Sequence, residues 1–334
     1  MGMAAVLLTL WAYSSVWSAE WVYEDRAMVT TAHQPHTSWQ RVLTYWTWQV
    51  APTPQSAHVV NLALHGVVAS LLGVLAWRLG LTPFGAWIVV LTWLLSPVVV
   101  ETVVYAKARS EQLVILGALI AMLAASGRWW RPVGLLGICA GLLVAIGGEP
   151  SGVVVLLLVP LTVWHGRDRW HGAPSWWIPA IVAGVLVGAG IGWYGGLRAV
   201  INADAEAGIV SVLALTWQDW LLVQGGAVWY WLLATAWPAL LTPDADMDGV
   251  PMWVRWWGLF TLVVISGVAW RTYRTHPVLA LACLVFVVAL VPRLLVQTPR
   301  SYLNAAQFAI PFLGVALAVG YGTQQWKAQW TQGA

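Results

Sequence analysis

The 334-residue chain is strongly apolar, with 60% hydrophobic residues and only 9% charged residues. Such a composition cannot be covered by a water-soluble surface, which excludes an ordinary soluble enzyme. The formal net charge is only +3, and no basic patch is interleaved with aromatic side chains, so we expect no nucleic-acid partner. The sequence therefore predicts an all-α, polytopic integral membrane protein with a single membrane domain, residues 1–334.

Apolar runs of roughly the 20-residue length that a helix needs to cross a hydrocarbon core recur along the chain. On this argument we expect about 11 transmembrane helices. The first run has the length of a signal peptide, but it lacks a basic leading region and a small-residue cleavage site, so we expect it to be retained. The predicted spans are residues 3–18, 58–78, 84–105, 112–126, 133–147, 152–164, 176–194, 227–237, 253–270, 277–296 and 303–321.

Two long polar regions interrupt this pattern. Residues 19–56 form the longest hydrophilic loop, and it carries the acidic pair Glu24-Asp25. The extracytoplasmic region of residues 196–250 contains an apolar run that is interrupted by Gln224-Gly-Gly226. Both ends of that run belong on the same side of the membrane by their charge, so we expect an interfacial helix and a short re-entrant or split span.

Charges are distributed unequally between the two predicted faces of the membrane. Three short loops, at residues 128–131, 167–169 and 271–274, are basic, and the positive-inside rule assigns them to the cytoplasm. Asp168 is then the only one of the 13 acidic residues on that side. The 27 Trp residues, many of them at the ends of apolar runs, are typical of interfacial anchors. We expect a multi-pass protein of the bacterial inner membrane, surrounded by membrane lipids.

Residues 101–111 concentrate two acids, Glu101 and Glu111, and two bases, Lys107 and Arg109, between two apolar runs. Ionisable groups at the end of a membrane helix are costly to desolvate, so they either reach into the interface or surround a polar ligand. Lys and Arg that alternate with Glu suit the binding and orientation of a phosphate. The general bias of charges toward the two membrane faces is the alternative explanation, and it needs no site.

Asn61 and His65 lie one helical turn apart in the second predicted span and share a helix face. We favour the simpler interpretation, in which the two residues make interhelical hydrogen bonds inside the bundle. In the alternative interpretation, His65 orients a polar group of a ligand.

Two further motifs have a spacing compatible with metal ligands. His33-Gln-Pro-His36 is interrupted by Pro35, which prevents the two rings from sharing a helix face. Asp244-Ala-Asp-Met-Asp248 has acids at alternating positions, but the distant Glu of a calcium loop is missing. We therefore expect no cofactor and no dedicated metal site, with a divalent cation as the alternative.

Three short motifs follow one another along the chain: Asn61-Leu-Ala-Leu-His65, Ser96-Pro97-Val-Val-Val-Glu101 and Arg109-Ser-Glu111-Gln-Leu113. Together they resemble the pattern N-x-x-x-H, H-P-x-H-T-E and G-R-x-D-x-L of the transmembrane and tetratricopeptide-repeat O-mannosyltransferases, which are GT-C glycosyltransferases. Weaker similarities follow at Glu149, at residues 238–244 and at residues 300–303. The chain departs from the pattern at Ser96, Val99, Val100 and Gly148, and no helical repeat follows the last predicted span.

The resemblance implies a GT-C fold and transfer of a sugar from a polyprenyl-phosphate donor to a protein or glycan acceptor on the extracytoplasmic side. It implies that Asp25, with Glu24 beside it, is the catalytic base that takes the proton of the acceptor hydroxyl. A solvated loop acid is an equally good account of Asp25. The residues implied to bind the substrate are Asn61, His65, Glu101, Lys107, Arg109, Glu111 and Arg300, with the three bases offsetting the charge of the departing phosphate.

A second hypothesis comes from a different class of function. In it, the GT-C fold has lost catalysis and serves as a structural subunit of a larger membrane complex, with other membrane proteins as partners. The replaced motif histidines, the missing repeat domain and the Trp-rich perimeter favour this hypothesis. A transporter is less well supported, because neither half of the chain visibly repeats the other.

Overall fold

The computed structural model describes residues 2–21, 42–127, 132–166, 217–237, 250–296 and 308–333. These residues are helical and contain no strand, which confirms the all-α class for the described part of the chain. The α-helices are α1 (Gly2–Ala12), α2 (Val42–Val50), α3 (Pro54–Arg78), α4 (Pro83–Leu95), α5 (Pro97–Val104), α6 (Arg109–Ser126), α7 (Pro132–Gly148), α8 (Val155–His165), α9 (Trp217–Ala236), α10 (Met252–Thr272), α11 (Pro277–Val296) and α12 (Ala309–Gly333). Short 3-10 helices lie at Ser14–Ser18, Ala106–Ala108 and Pro150–Val154.

Local hydrogen bonds set the ends of α3 and α4. Thr53 and Ser56 form a capping box at the start of α3, in which the Ser56 N–H donates to Thr53 Oγ1 over 3.2 Å. Thr82 caps α4 with its hydroxyl alone, which accepts a hydrogen bond from the Gly85 N–H over 3.2 Å. Gly80 has a φ of 106°, a conformation that glycine adopts without a steric penalty. A tight turn therefore separates two helices that pack against each other.

The predicted span at residues 84–105 is divided into two helices. Helices α4 and α5 meet at an angle of 59°, with Ser96 between them. Pro97 has no N–H to continue the hydrogen-bond ladder of α4, and Ser96 has the extended backbone that a following proline favours. This bend directs α5 and its Glu101 toward α3.

The structure also differs from the prediction in the region of residues 196–250. Helix α9 continues through Gln224-Gly-Gly226, so the expected break or re-entrant turn does not occur within Trp217–Ala236. The reason is packing between helices: Gly225 contacts Gly258 of α10, and a Cβ atom added to either would overlap the backbone of the other helix. Residues 196–216 and 238–249 lie outside the described residues.

Part of the predicted hydrophilic loop of residues 19–56 is helical. Its α2 packs against α7, where Thr44 Oγ1 donates a hydrogen bond to the Gly148 carbonyl over 2.7 Å. Trp48 on the same helix is buried. Thr44 and Trp48 of this segment therefore join the bundle, whereas Trp46 stays exposed.

Helix α3 packs against α1, α4 and α6, and α6 in turn packs against α7. Within the described part of the chain, α3, α6 and α10 are long and apolar enough to cross a membrane, and the bent pair α4–α5 makes a fourth candidate. The chain therefore carries helices of transmembrane length and apolarity. The total of about 11 spans stays a prediction, and the predicted span at residues 176–194 lies outside the described residues.

The charged segment of residues 101–111 lies at one end of α3 and α6. The opposite end carries Arg78, and we call it the basic end of the bundle. At the basic end, Arg78 donates a hydrogen bond to the Leu123 carbonyl over 3.1 Å. At the other end, Arg109 donates to the Ala57 carbonyl, also over 3.1 Å. The 25 residues of α3 rise about 37 Å between these ends. The assignment of these two ends to opposite faces of the membrane stays a prediction from the charge pattern.

Candidate functional site

Four buried polar residues meet where α3, the end of α5 and the start of α6 come together. Asn61, Thr102 and Arg109 are fully buried, and Gln112 is 1% exposed. We call this group the Arg109 junction. Burying so many polar groups is costly unless they are hydrogen-bonded to each other or to the backbone.

The Arg109 guanidinium makes two hydrogen bonds and one contact with an aromatic ring. Its Nε donates to Asn61 Oδ1 over 3.0 Å, and one terminal nitrogen donates to the Ala57 carbonyl. Its central carbon lies 4.9 Å from the centroid of the Trp48 ring, a cation–π contact. Arg109 therefore links the first turn of α6 to α3 and α2.

The Asn61 side-chain amide caps the C-terminal end of α5. Its Nδ2 donates to the Tyr105 carbonyl over 2.9 Å and lies 3.3 Å from the Val103 carbonyl and 3.4 Å from the Thr102 carbonyl. Carbonyls at the end of a helix have no intrahelical donor, so a side-chain amide satisfies them there. The interhelical hydrogen-bonding predicted for Asn61 is thus confirmed.

Gln112 has a similar role that the sequence analysis missed. Its Nε2 donates to the Thr102 carbonyl over 2.6 Å and lies 3.3 Å from Thr102 Oγ1. Gln112 stands at a variable position of the motif, between Glu111 and Leu113, so the motif comparison did not select it. An amide at the very start of the apolar run 112–126 was the signal that could have identified it.

His65 behaves differently from Asn61, although it lies one turn away on α3. Among the described residues neither of its ring nitrogens has a hydrogen-bond partner, so the interhelical hydrogen bond predicted for His65 is not found there. Its ring centroid lies 5.5 Å from that of Tyr13 and 5.9 Å from that of Trp93, which in turn contacts Phe312. His65 therefore belongs to a buried aromatic cluster.

The remaining charged residues of the motif lie on the helices that form the junction or between them in the sequence. Glu101 on α5 and Glu111 in the first turn of α6 are both half-buried. Glu111 Oε2 accepts a hydrogen bond from Ser110 Oγ over 2.7 Å, and its charge is favourable at a helix N-terminus. Lys107 lies between the two acids in the 3-10 helix Ala106–Ala108. The motif residues predicted from separate segments thus come together at one end of the bundle.

The segment that follows the first helix reaches the same place. Trp21 packs against Trp48 with 5.7 Å between the ring centroids, and His58 Nε2 lies 3.4 Å from the Glu20 carbonyl. Glu24 and Asp25, three and four positions after Trp21, lie outside the described residues, as does Arg300. The first described segment therefore ends beside the Arg109 junction.

A separate groove of about 340 Å³ lies at the bend between α4 and α5. Leu91, Leu95 and Phe312 are among the apolar residues that line it, and the Ser96 hydroxyl lies in its wall without a hydrogen-bond partner. The groove is thus mainly apolar, with one unused hydroxyl. It suits a hydrocarbon chain better than a charged group.

In the described residues no group of three or more His, Cys, Asp or Glu side chains is arranged to hold a metal ion. The two motifs with metal-like spacing, His33 to His36 and Asp244 to Asp248, lie outside the described residues. No protein-family model, no curated protein and no solved structure matches the chain. The similarity to the O-mannosyltransferases rests on the motifs alone.

Proposed function

We propose that the protein is a GT-C-like glycosyltransferase that moves a sugar from a polyprenyl-phosphate donor to a protein or glycan acceptor on the extracytoplasmic side of the membrane. The observation that carries this proposal is the convergence at the Arg109 junction. Three motif segments that are separate in the sequence meet there. Trp21, which precedes Asp25 by four positions, packs against Trp48 beside them.

The burial of the junction changes the roles that we assign within this proposal. Arg109 and Asn61 are fully buried and bonded to the protein, so we assign them to positioning α5 and α6 and not to contact with phosphate. The charge of the departing phosphate is then offset by Lys107 and Arg300. Glu101 and Glu111 remain as half-buried acids beside the positioned helix ends.

The chemistry follows from these assignments. Asp25 takes the proton of the acceptor hydroxyl, and the acceptor oxygen forms a bond to the anomeric carbon of the sugar. The bond between that carbon and the phosphate oxygen breaks, and polyprenyl phosphate leaves with the electron pair. A single displacement of this kind inverts the anomeric configuration. The apolar groove beside α5 supports a lipid-linked donor, because it accommodates a hydrocarbon chain.

The test compares two acids of the same type on opposite predicted faces. The Asp25→Asn and Asp168→Asn variants are purified and supplied with radiolabelled polyprenyl-phosphate mannose, glucose or galactose and with membrane extract as acceptor. We expect transfer by the wild type and by Asp168→Asn. The transfer rate of Asp25→Asn should be at least about 100-fold lower, which is the factor that a general base contributes. Its thermal unfolding midpoint should be unchanged.

Two results would reject the catalytic proposal. One is no transfer from any of the donors by folded wild-type protein, and the other is an Asp25→Asn variant as active as the Asp168→Asn control.

The second candidate function, a structural subunit of a larger membrane complex, is favoured by the outer face of α10. In an apolar stretch of 18 residues along α10, only 11% of the residues are buried, whereas 56% are buried in the matching stretch of α3 and 61% in that of α6. Trp253, Trp257, Phe260 and Val264 are exposed at intervals of three or four residues, so they form one stripe along the helix. A contiguous apolar stripe with aromatic residues at one end suits contact with another membrane helix as well as with lipid.

Gentle purification from native membranes tests the second candidate. Membership of a complex predicts that partners are recovered in a fixed ratio, and that cysteines introduced at Phe260 and Val264 cross-link to them. A matched cysteine at exposed Val59 of α3 should not form the same cross-link. Recovery of the intact protein only as a monomer would contradict this candidate.

A further inference from the structure

Three aromatic rings from two helix ends pack together at the basic end of the bundle. Trp164, in the last turn of α8, stacks on Tyr273 with 5.9 Å between the ring centroids and an angle of 22°. Trp270, in the last turn of α10, lies against the same tyrosine, also at 5.9 Å. We call Trp164, Trp270 and Tyr273 the aromatic ledge. Trp270 is 79% exposed, so the ledge opens outward from the bundle.

Two guanidinium groups border the aromatic ledge. The central carbon of Arg274 lies 5.1 Å from the centroid of the Tyr273 ring, and Arg271 precedes Tyr273 by two positions in the sequence. Both arginines are exposed, and neither makes a hydrogen bond or an ion pair with a described residue. Their N–H groups are therefore available to an anionic ligand.

The sequence that follows residue 248 has no acid that competes for these arginines. Residues 249–334 contain six Lys or Arg residues and no Asp or Glu. Among the described residues, this end of the bundle also carries Arg78 and Lys327 and is therefore cationic.

We propose that the aromatic ledge, with Arg271 and Arg274, binds the headgroup of an anionic phospholipid. A guanidinium presents paired N–H donors that match phosphate oxygens. Tryptophan and tyrosine rings prefer the headgroup level of a bilayer, and basic sites at membrane helix ends bind anionic headgroups. Tyr273 stacks on Trp164 and also contacts Trp270 and the Arg274 guanidinium, so the groups that would hold the headgroup already lie together. This inference is independent of sugar transfer.

Native mass spectrometry of the purified protein, titrated with phosphatidylglycerol or phosphatidylcholine, tests the proposal. We expect the wild type to retain phosphatidylglycerol in preference to phosphatidylcholine. At about 1 kcal/mol for each basic residue near an anionic surface, Arg271→Gln/Arg274→Gln should bind phosphatidylglycerol roughly 30-fold more weakly. Tyr273→Leu, which keeps both charges but removes the stacking surface, should weaken binding as well.

The control is Lys327→Gln, compared with the single variant Arg274→Gln. Lys327 belongs to the same basic end but lies over the Phe84 ring, 4.4 Å from its centroid. Each change removes one positive charge, so a localised site predicts weaker binding for Arg274→Gln only. Equal losses in both variants would overturn the proposal in favour of diffuse attraction to anionic lipid.

Inorganic phosphate separates a lipid site from a simple anion site. We expect millimolar phosphate to leave the retained phosphatidylglycerol unchanged, because the ledge also contacts the apolar part of the lipid. Complete displacement of the lipid by free phosphate would overturn the assignment to a phospholipid. Equal retention of both lipids by the wild type would overturn it too.

Discussion

The Arg109 junction and the contact between α9 and α10 join neighbouring helices by different interactions. At the junction, Arg109 and Asn61 use charged and amide donors to bind backbone carbonyls of adjacent segments. Between α9 and α10, Gly225 and Gly258 have no side chain, and the two backbones approach directly. In an apolar solvent a buried polar group must find a partner, whereas apolar helices associate through close shape complementarity. The two contacts should therefore fail in response to opposite kinds of substitution.

A finer contrast lies within α3 itself. Asn61 and His65 are one turn apart and both fully buried, yet only Asn61 is hydrogen-bonded. Asn61 faces the end of α5, where free carbonyls accept its amide. His65 faces aromatic rings, where its shape matters and its nitrogens find no partner. Burial of a polar side chain therefore does not by itself reveal its role.

We expect the largest effect from a substitution that breaks the Arg109 junction. Asn61→Leu keeps the approximate volume but leaves the Arg109 Nε and the Tyr105 carbonyl without their partner. We expect the free energy of unfolding, measured by SDS titration in mixed micelles, to fall by about 3 kcal/mol. Val59→Leu, on an exposed position of the same helix, is the control and should change it by less than about 0.5 kcal/mol. A loss no larger than that of the control would show that the junction does not stabilise the bundle.

The next prediction addresses the glycine contact and uses two glycines of α10. A Cβ added at Gly258 would overlap the backbone of Gly225, whereas a Cβ added at Gly267 has no heavy atom within 4 Å. We expect Gly258→Ala to lower the free energy of unfolding by about 2 kcal/mol, because the two helices must move apart. Gly267→Ala should leave it unchanged or raise it slightly. Similar values for both variants would mean that α9 and α10 are not closely packed at Gly258.

The general class and several helix positions were predictable because they depend on local composition. The apolar run at residues 277–296 coincides with α11, and the runs at residues 58–78 and 253–270 lie within α3 and α10. The glycine motif in α9 was misinterpreted, because a glycine that permits close helix packing has the same sequence signature as one that breaks a helix. Only the neighbouring helix distinguishes the two cases.

The candidate site was predictable only in part, and the direction of its side chains was not predictable. The motifs selected Asn61 and Arg109, which are hydrogen-bonded to each other, but not Thr102 or Gln112. Sequence could not show that Arg109 points inward onto Trp48, because Trp48 lies in a segment predicted to be a polar loop. The resulting change in role, from phosphate contact to positioning, depends on that one unpredicted helix.

The smallest expected effect sharpens the contrast between Asn61 and His65. His65→Phe removes two ring nitrogens that have no hydrogen-bond partner and keeps an aromatic ring between Tyr13 and Trp93. Replacing an unsatisfied buried polar group by an apolar group of similar shape is neutral or stabilising, so we expect the free energy of unfolding to stay equal or rise by up to about 1 kcal/mol. His65→Ala, which leaves a cavity in the cluster, is the matched comparison and should lower it by about 2 kcal/mol or more. A loss in His65→Phe as large as in His65→Ala would mean that the imidazole nitrogens have partners in the membrane, and that His65 is closer in role to Asn61 than to its aromatic neighbours.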